Sequence, residues 1–267
     1  MEVRWLGWAG VEIESAGQSL VIDLLGDPLG VLAAVPEIAA KTPMPHVVAP
    51  KYEGRVLAGL CTHLHRDHAD ADALVRALES GAPVLHPVGF GGDHHENFWL
   101  AQAESEFRAA GLIRRGVANW ESISIPPFTI AVLPAVDGIG DPQVSWVVEA
   151  EDRRVVHLGD TMFHGYWWRM ARRFGPFDAV CTPINGPALC FPHCQPPSPL
   201  AGALEPEQAA LAGELLGTPN VIPIHYGGFR VPGQYEPVPE DERRFLEAAA
   251  GRPYRVHQLQ PGESLHL

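Results

Sequence analysis

Residues 62–68 read Thr-His-Leu-His-Arg-Asp-His, so His63, His65, Asp67 and His68 fall within six consecutive positions. Imidazole nitrogens and a carboxylate oxygen are ligands for zinc and for neighbouring first-row divalent ions. The spacing H-x-H-x-D-H lets one short loop offer several of them together. The competing reading is a polar surface loop that happens to hold three histidines. It gives no reason for an apolar strand to run directly into the cluster.

That strand is the apolar run 56–61. Residues 70–79 follow the cluster and read as a helix with Leu74, Val75 and Leu78 inward. The cluster therefore belongs on a strand-to-helix loop, where a rigid scaffold presents side chains. Further strands are expected at 3–6, 11–14, 19–22, 121–125, 128–133, 144–149, 155–158, 178–181 and 221–224. Helices are expected at 96–110, 166–174, 205–216 and 240–250, with Pro206 suited to the first turn of its helix. Strands and helices interleaved in two halves fit two packed sheets with helices outside, although the pattern alone specifies only a mixed α and β protein.

Other segments match one family in order. The opening run 5–14 and the segment Ser19-Leu20-Val21-Ile22-Asp23 alternate like hairpin strands. Gly159-Asp160-Thr161 follows the run at 155–158, Pro183-Ile184-Asn185-Gly186 comes next, and Ile222-Pro223-Ile224-His225-Tyr226-Gly227 lies near the end. With H-x-H-x-D-H after a strand, this ordered set resembles the metallo-β-lactamase superfamily. Within it, the chain is similar to the lactonase-like branch of L-ascorbate-6-phosphate lactonase type. The resemblance implies a single four-layer αββα domain over residues 1–267. It also implies two divalent ions, zinc or manganese with iron as a third option. His63, His65 and Asp137 would hold one, Asp67, His68 and His225 the other, and Asp160 would bridge them.

Asp137 is where the chain departs from that family. A histidine is expected after the strand at 128–133, and Val136-Asp137-Gly138 stands there instead. Aspartate is shorter and anionic, which favours manganese or iron over zinc and lowers the Lewis acidity of the ion. The alternative is that Asp137 only caps the turn before Gly138. His94, His95, His164 and His193 are the residues able to replace the missing ligand or to act as general acid. His157 alternates with Val156 and Leu158 and reads as structural, and His46, His257 and His266 read as surface groups.

Composition narrows the function. A net charge of -13 over 267 residues argues against nucleic acid, which needs clustered Lys and Arg. No secretory signal and no membrane-length apolar run is visible, and a cytoplasmic location is expected. Cys61 and Cys181 read as buried small hydrophobes. Cys190, His193 and Cys194 could bind metal or pair as a disulfide, though a four-ligand zinc site lacks its second pair. Residues 90–111 and 186–200 look like additions that shape a pocket, with Phe98, Trp99 and Phe107 as helix core and one of Trp167 and Trp168 inward. A homo-oligomer is left open.

The leading expectation is a binuclear hydrolase in which a metal-bound hydroxide attacks a small ester, lactone or phosphorylated metabolite, with Asp67 orienting it or moving its proton. A phosphodiesterase or phospholipase of the N-acyl phosphatidylethanolamine type is the alternative, with a groove built from Phe98, Trp99, Trp167 and Trp168. A third reading is a metal-binding regulator that has lost turnover.

Overall fold

The computed structural model describes residues 1–33, 35–92, 97–192 and 194–267. The first sheet opens with β1 (Glu2–Gly7), β2 (Gly10–Ser15) and β3 (Gln18–Ile22), an antiparallel meander. It continues in parallel through β4 (Gly59–Leu60), β5 (Pro83–Pro87) and β6 (Ile113–Val117). The second sheet begins with an antiparallel run, β7 (Ser122–Ile125), β8 (Phe128–Pro134), β9 (Val144–Ala150) and β10 (Arg153–His157). It then turns parallel through β11 (Ala179–Pro183), β13 (Asn220–Ile224) and β15 (Arg255–Val256). Between these, β12 (Ala188–Leu189) pairs with β14 (Tyr235–Glu236), and the last strand, β16 (Ser264–His266), returns to β1. Among the described residues, each large sheet has seven strands.

Alternation builds the core. Val3 and Trp5, Val11 and Ile13, and Leu20 and Ile22 sit two apart on their strands. They join Ile130, Val132, Trp146, Val148 and Val156 of the second sheet in one buried cluster. Val21 and Val84 belong instead to a separate cluster with helical residues. The short turns α1 (Pro28–Val31) and α2 (Pro36–Ala39) are followed by α3 (Ala71–Ala77) and α4 (Phe98–Ala109), whose Leu74, Ala77 and Phe107 fill that cluster. α5 (Trp167–Phe174), α6 (Pro206–Leu216) and α7 (Asp241–Ala249) pack together against the second sheet. The result is the expected αββα order.

Differences from the sequence reading are local. The run 56–61 narrows to β4, with Val56 making only an isolated bridge to Leu78. Val75 points outward at 47% exposure, while Leu74 and Leu78 are buried. Among the described residues, no helix is long and apolar enough to cross a membrane. In each sheet the parallel strands, and β8 with β10, end on a common edge, so the loops leaving them converge.

Candidate metal centre

Asp23 ties two of those loops together. It leaves β3 with a left-handed backbone, φ 49°, and its side chain is fully buried. Its Oδ1 accepts the Thr62 amide and its Oδ2 accepts the Thr62 hydroxyl, both at 2.7 Å. The same Oδ2 meets His68 Nδ1 at 2.8 Å. Asp23 thereby fixes both the start of the loop after β4 and His68 within it.

Two groups of side chains result. His63, His65, Asp137 and Asp160 form one, Asp67, His68 and His225 the other, and the ligand atoms within each lie within 4.8 Å of one another. Asp160 stands between them. Its Oδ1 is 3.7 Å from His63 Nε2, while its Oδ2 is 3.9 Å from His68 Nε2 and 4.0 Å from His225 Nε2. Asp67 Oδ2 lies 3.5 Å from His68 Nε2 and 3.6 Å from His225 Nε2. All seven residues expected as ligands are therefore brought together.

These residues fit divalent ions. His63 Nε2 is buried without a hydrogen-bond partner, an arrangement costing about 1–3 kcal/mol unless something binds there. The imidazoles are also fixed from behind. Thr62 Oγ1 lies 3.1 Å from His63 Nδ1, Asn185 Oδ1 lies 3.1 Å from His225 Nδ1, and Asp141 Oδ2 lies 2.9 Å from His65 Nε2. With Asp23 on His68, one nitrogen of each ring is engaged from behind and the other faces the centre, where His68 Nε2 and His225 Nε2 lie 3.1 Å apart, the usual outer arrangement of a metal-binding histidine.

Asp137 both caps a turn and belongs to the first group. Its Oδ1 accepts the amides of Ile139 at 2.8 Å and Asp141 at 3.0 Å. The two readings offered by the sequence are thus compatible, because a carboxylate has a second oxygen. Burial raises the Asp137 carboxyl, opposed by His65.

Charge is distributed unevenly. Burial alone would lower the His65 pKa, but Asp137, Asp141, Asp160 and Asp67 push it up to about 9. Burial, together with His68 and His65, holds His63 well below its ordinary value. Burial opposes ionisation of Asp67, yet His68 and His225 keep it well below the usual carboxylate range.

Several other expectations are resolved here. His157 is structural: its Nε2 lies 2.8 Å from the Ala9 carbonyl, and its Nδ1 accepts the Gly159 amide. His164 stacks on Trp167 at 4.0 Å, burial lowers its pKa to about 4, and it joins neither group. His94, His95 and His193 lie outside the described residues. Cys61 and Cys181 are buried, and Cys190 and Cys194 are free thiols. Phe107 is core as expected, but Phe98 is 56% exposed and Trp99 lines a cavity. Trp167 is buried and Trp168 faces outward.

Four contributors were not anticipated, the first being Gln143, whose Nε2 donates to Asp160 Oδ1 at 2.6 Å. Asp141 sits four residues after Asp137, a spacing visible in the sequence. Trp8 leaves β1 at φ 50°, donates its Nε1–H to Asp67 Oδ2 at 2.9 Å, and lays its ring 4.0 Å from His225. Tyr235 arrives from β14 with no local signal. Its hydroxyl oxygen accepts Asn185 Nδ2 at 2.9 Å, and burial, then Asp67 and Asp160, hold the phenol neutral.

An αββα sandwich with histidine and aspartate groups at its strand ends is the architecture of a metallo-hydrolase. Residues 31–226 match the beta-lactamase superfamily domain, and the chain belongs to the metallo-β-lactamase superfamily. It is 27% identical over 274 residues to a UPF0173 metal-dependent hydrolase of Thermococcus kodakarensis, covering 100% of both chains. It is 30% identical to a UPF0173 metal-dependent hydrolase of Rubrobacter xylanophilus, over 77% of each. Among solved structures it is similar to Igni18, a metallo hydrolase from Ignicoccus hospitalis. The TM-score is 0.65 at 19% identity, over 99% of this chain and 97% of the other, a likeness of fold.

Proposed function

We propose that the chain is a binuclear metal-dependent hydrolase of the lactonase-like kind, acting on a small ester, lactone or related acyl compound. The observation that carries this is Asp160, whose two oxygens face different ligand groups. His63, His65 and Asp137 would hold one divalent ion, zinc or manganese, and Asp67, His68 and His225 the other. Bound there, the ions would polarise the scissile bond and lower the pKa of a coordinated water from about 15.7 to about 7.

The protein's own groups supply the rest. Asp67, kept ionised by its histidine neighbours and by the Trp8 N–H, is the acceptor proposed to orient the attacking water. Tyr235 is neutral, and its oxygen already accepts from Asn185. Its proton is therefore left for an oxyanion forming in the cavity it lines.

The phospholipase reading has less support. Of its four proposed groove residues only Trp99 lines the cavity, while Trp167 is in the core. Metal analysis of protein purified without chelator, joined to a panel of lactones, acyl esters, acyl amides and phosphodiesters, tests the proposal. About two ions per chain and turnover of an acyl substrate are expected. Well under one ion per chain would sink it, and tight binding of two ions with no turnover would favour the non-enzymatic regulator. Tyr235→Phe should lower kcat by about 100-fold with metal content unchanged. An unaltered kcat would remove Tyr235 from the chemistry.

A further inference from the structure

A cavity of about 180 Å³ reaches Asp67, Asp137 and Asp160. That is small beside the roughly 300–1,000 Å³ of pockets that take drug-sized ligands. Its walls come from separate parts of the fold and are apolar: Val31, Leu32, Trp99, Ile139, Leu189 and Phe229. Among the described residues, the one Arg or Lys on the wall is Arg66. Its charge is already met, because Nη2 lies 2.7 Å from Glu106 Oε1 and Nη1 donates to the Gly30 carbonyl at 3.2 Å. Its Nε is buried without a hydrogen-bond partner.

From these walls we infer the substrate class: a small acyl compound whose body, away from the reacting carbonyl, is uncharged and apolar. The inference rests on the hydrolase reading above. An anionic group on the body would leave water for a wall whose cation among the described residues, Arg66, is already paired with Glu106 and whose Asp67, Asp137 and Asp160 would repel it, a costly transfer. An alkyl or aryl body gains by the same burial. The Arg66 Nε–H suits one neutral acceptor on the substrate, not an anion, whose charge Glu106 would oppose.

The test uses the metal-loaded protein and matched pairs that differ only at the far end. With p-nitrophenyl hexanoate against its 5-carboxypentanoyl counterpart, kcat/KM should favour the uncharged body by about 100-fold or more. The hexadecanoyl ester should be poorer than the hexanoyl ester. Leu189→Arg, which puts a cation on the wall, should narrow the charge preference to about tenfold or less. Calorimetry with two uncleaved ketones, 2-heptanone and 6-oxoheptanoate, reads the same preference without turnover. Tighter binding of 2-heptanone supports the inference even if no ester is cleaved, and in that case only the hydrolase reading falls. Equal binding of both ketones, binding of neither, a preference for the carboxylate, or a faster hexadecanoyl ester overturns it.

Discussion

Trp8 contributes no ligand, yet its indole touches two members of the second group, Asp67 and His225. Partners that orient a metal ligand commonly contribute 10–100-fold to metal affinity. Trp8→Phe keeps the ring on His225 and removes the N–H. One ion should bind about tenfold more weakly while the other is unaffected, as read by calorimetric titration. Unchanged affinity for both would show that the hydrogen bond is incidental. His65 leads to a pH prediction. Its metal-free pKa of about 9 means that the ring is cationic at pH 7, so an ion must displace a proton to bind. Apparent affinity for one ion should therefore rise with pH, by up to about tenfold per unit, and level off above about pH 9. Competition titrations across pH 7–10 check this, and a flat profile would exclude His65 as a ligand. At this scale the local cluster was legible, because its spacing lies within one loop. Asp141 and Tyr235 were not, because hydrogen bonds between loops assign their roles.

The loops that carry the candidate ligands are positioned by contacts between backbones. A Cβ added at Gly138 would lie 2.2 Å from the Gly202 carbonyl oxygen and 2.4 Å from Gly202 Cα. Neither atom belongs to a flexible side chain, so the 137–141 loop would have to move. Gly138→Ala should destabilise the protein by about 1–3 kcal/mol, the usual cost of overpacking, and weaken the ion that Asp137 faces. Denaturant melts and metal titration on the same variant measure both, and wild-type values would show that the contact relaxes without consequence. Elements with strong patterning were readable: the expected helix at 205–216 is α6 (Pro206–Leu216), and that at 240–250 is α7 (Asp241–Ala249). β5 and β6 were missed. β5 begins and ends with proline, and β6 is mostly exposed with two consecutive arginines, so neither shows strand alternation.

In the folded molecule, three carboxylates from distant positions, Asp67, Asp137 and Asp160, face one small cavity. Without cations they repel one another, and ions that bind only the folded state stabilise it, by about 2.7 kcal/mol at a hundredfold excess over Kd. Chelation should lower Tm by about 5–10 °C, and manganese or zinc should restore it. A Tm indifferent to chelator would contradict a metal centre built from these groups. The amino-acid sequence by itself determined the candidate ligand types, the strand-to-helix setting of His63, His65, Asp67 and His68, the mixed α and β class and the ordered motifs of the superfamily. These depend on residue chemistry and short-range periodicity, which the linear chain carries. Only the tertiary structure decided that Asp160 stands between two groups, that Asp137 caps a turn with one oxygen while facing the first group, that Trp8 and Tyr235 reach the centre, and that the cavity is small and apolar. Those facts depend on the pairing register of two sheets and on loops meeting across their shared edge, contacts between residues far apart in sequence.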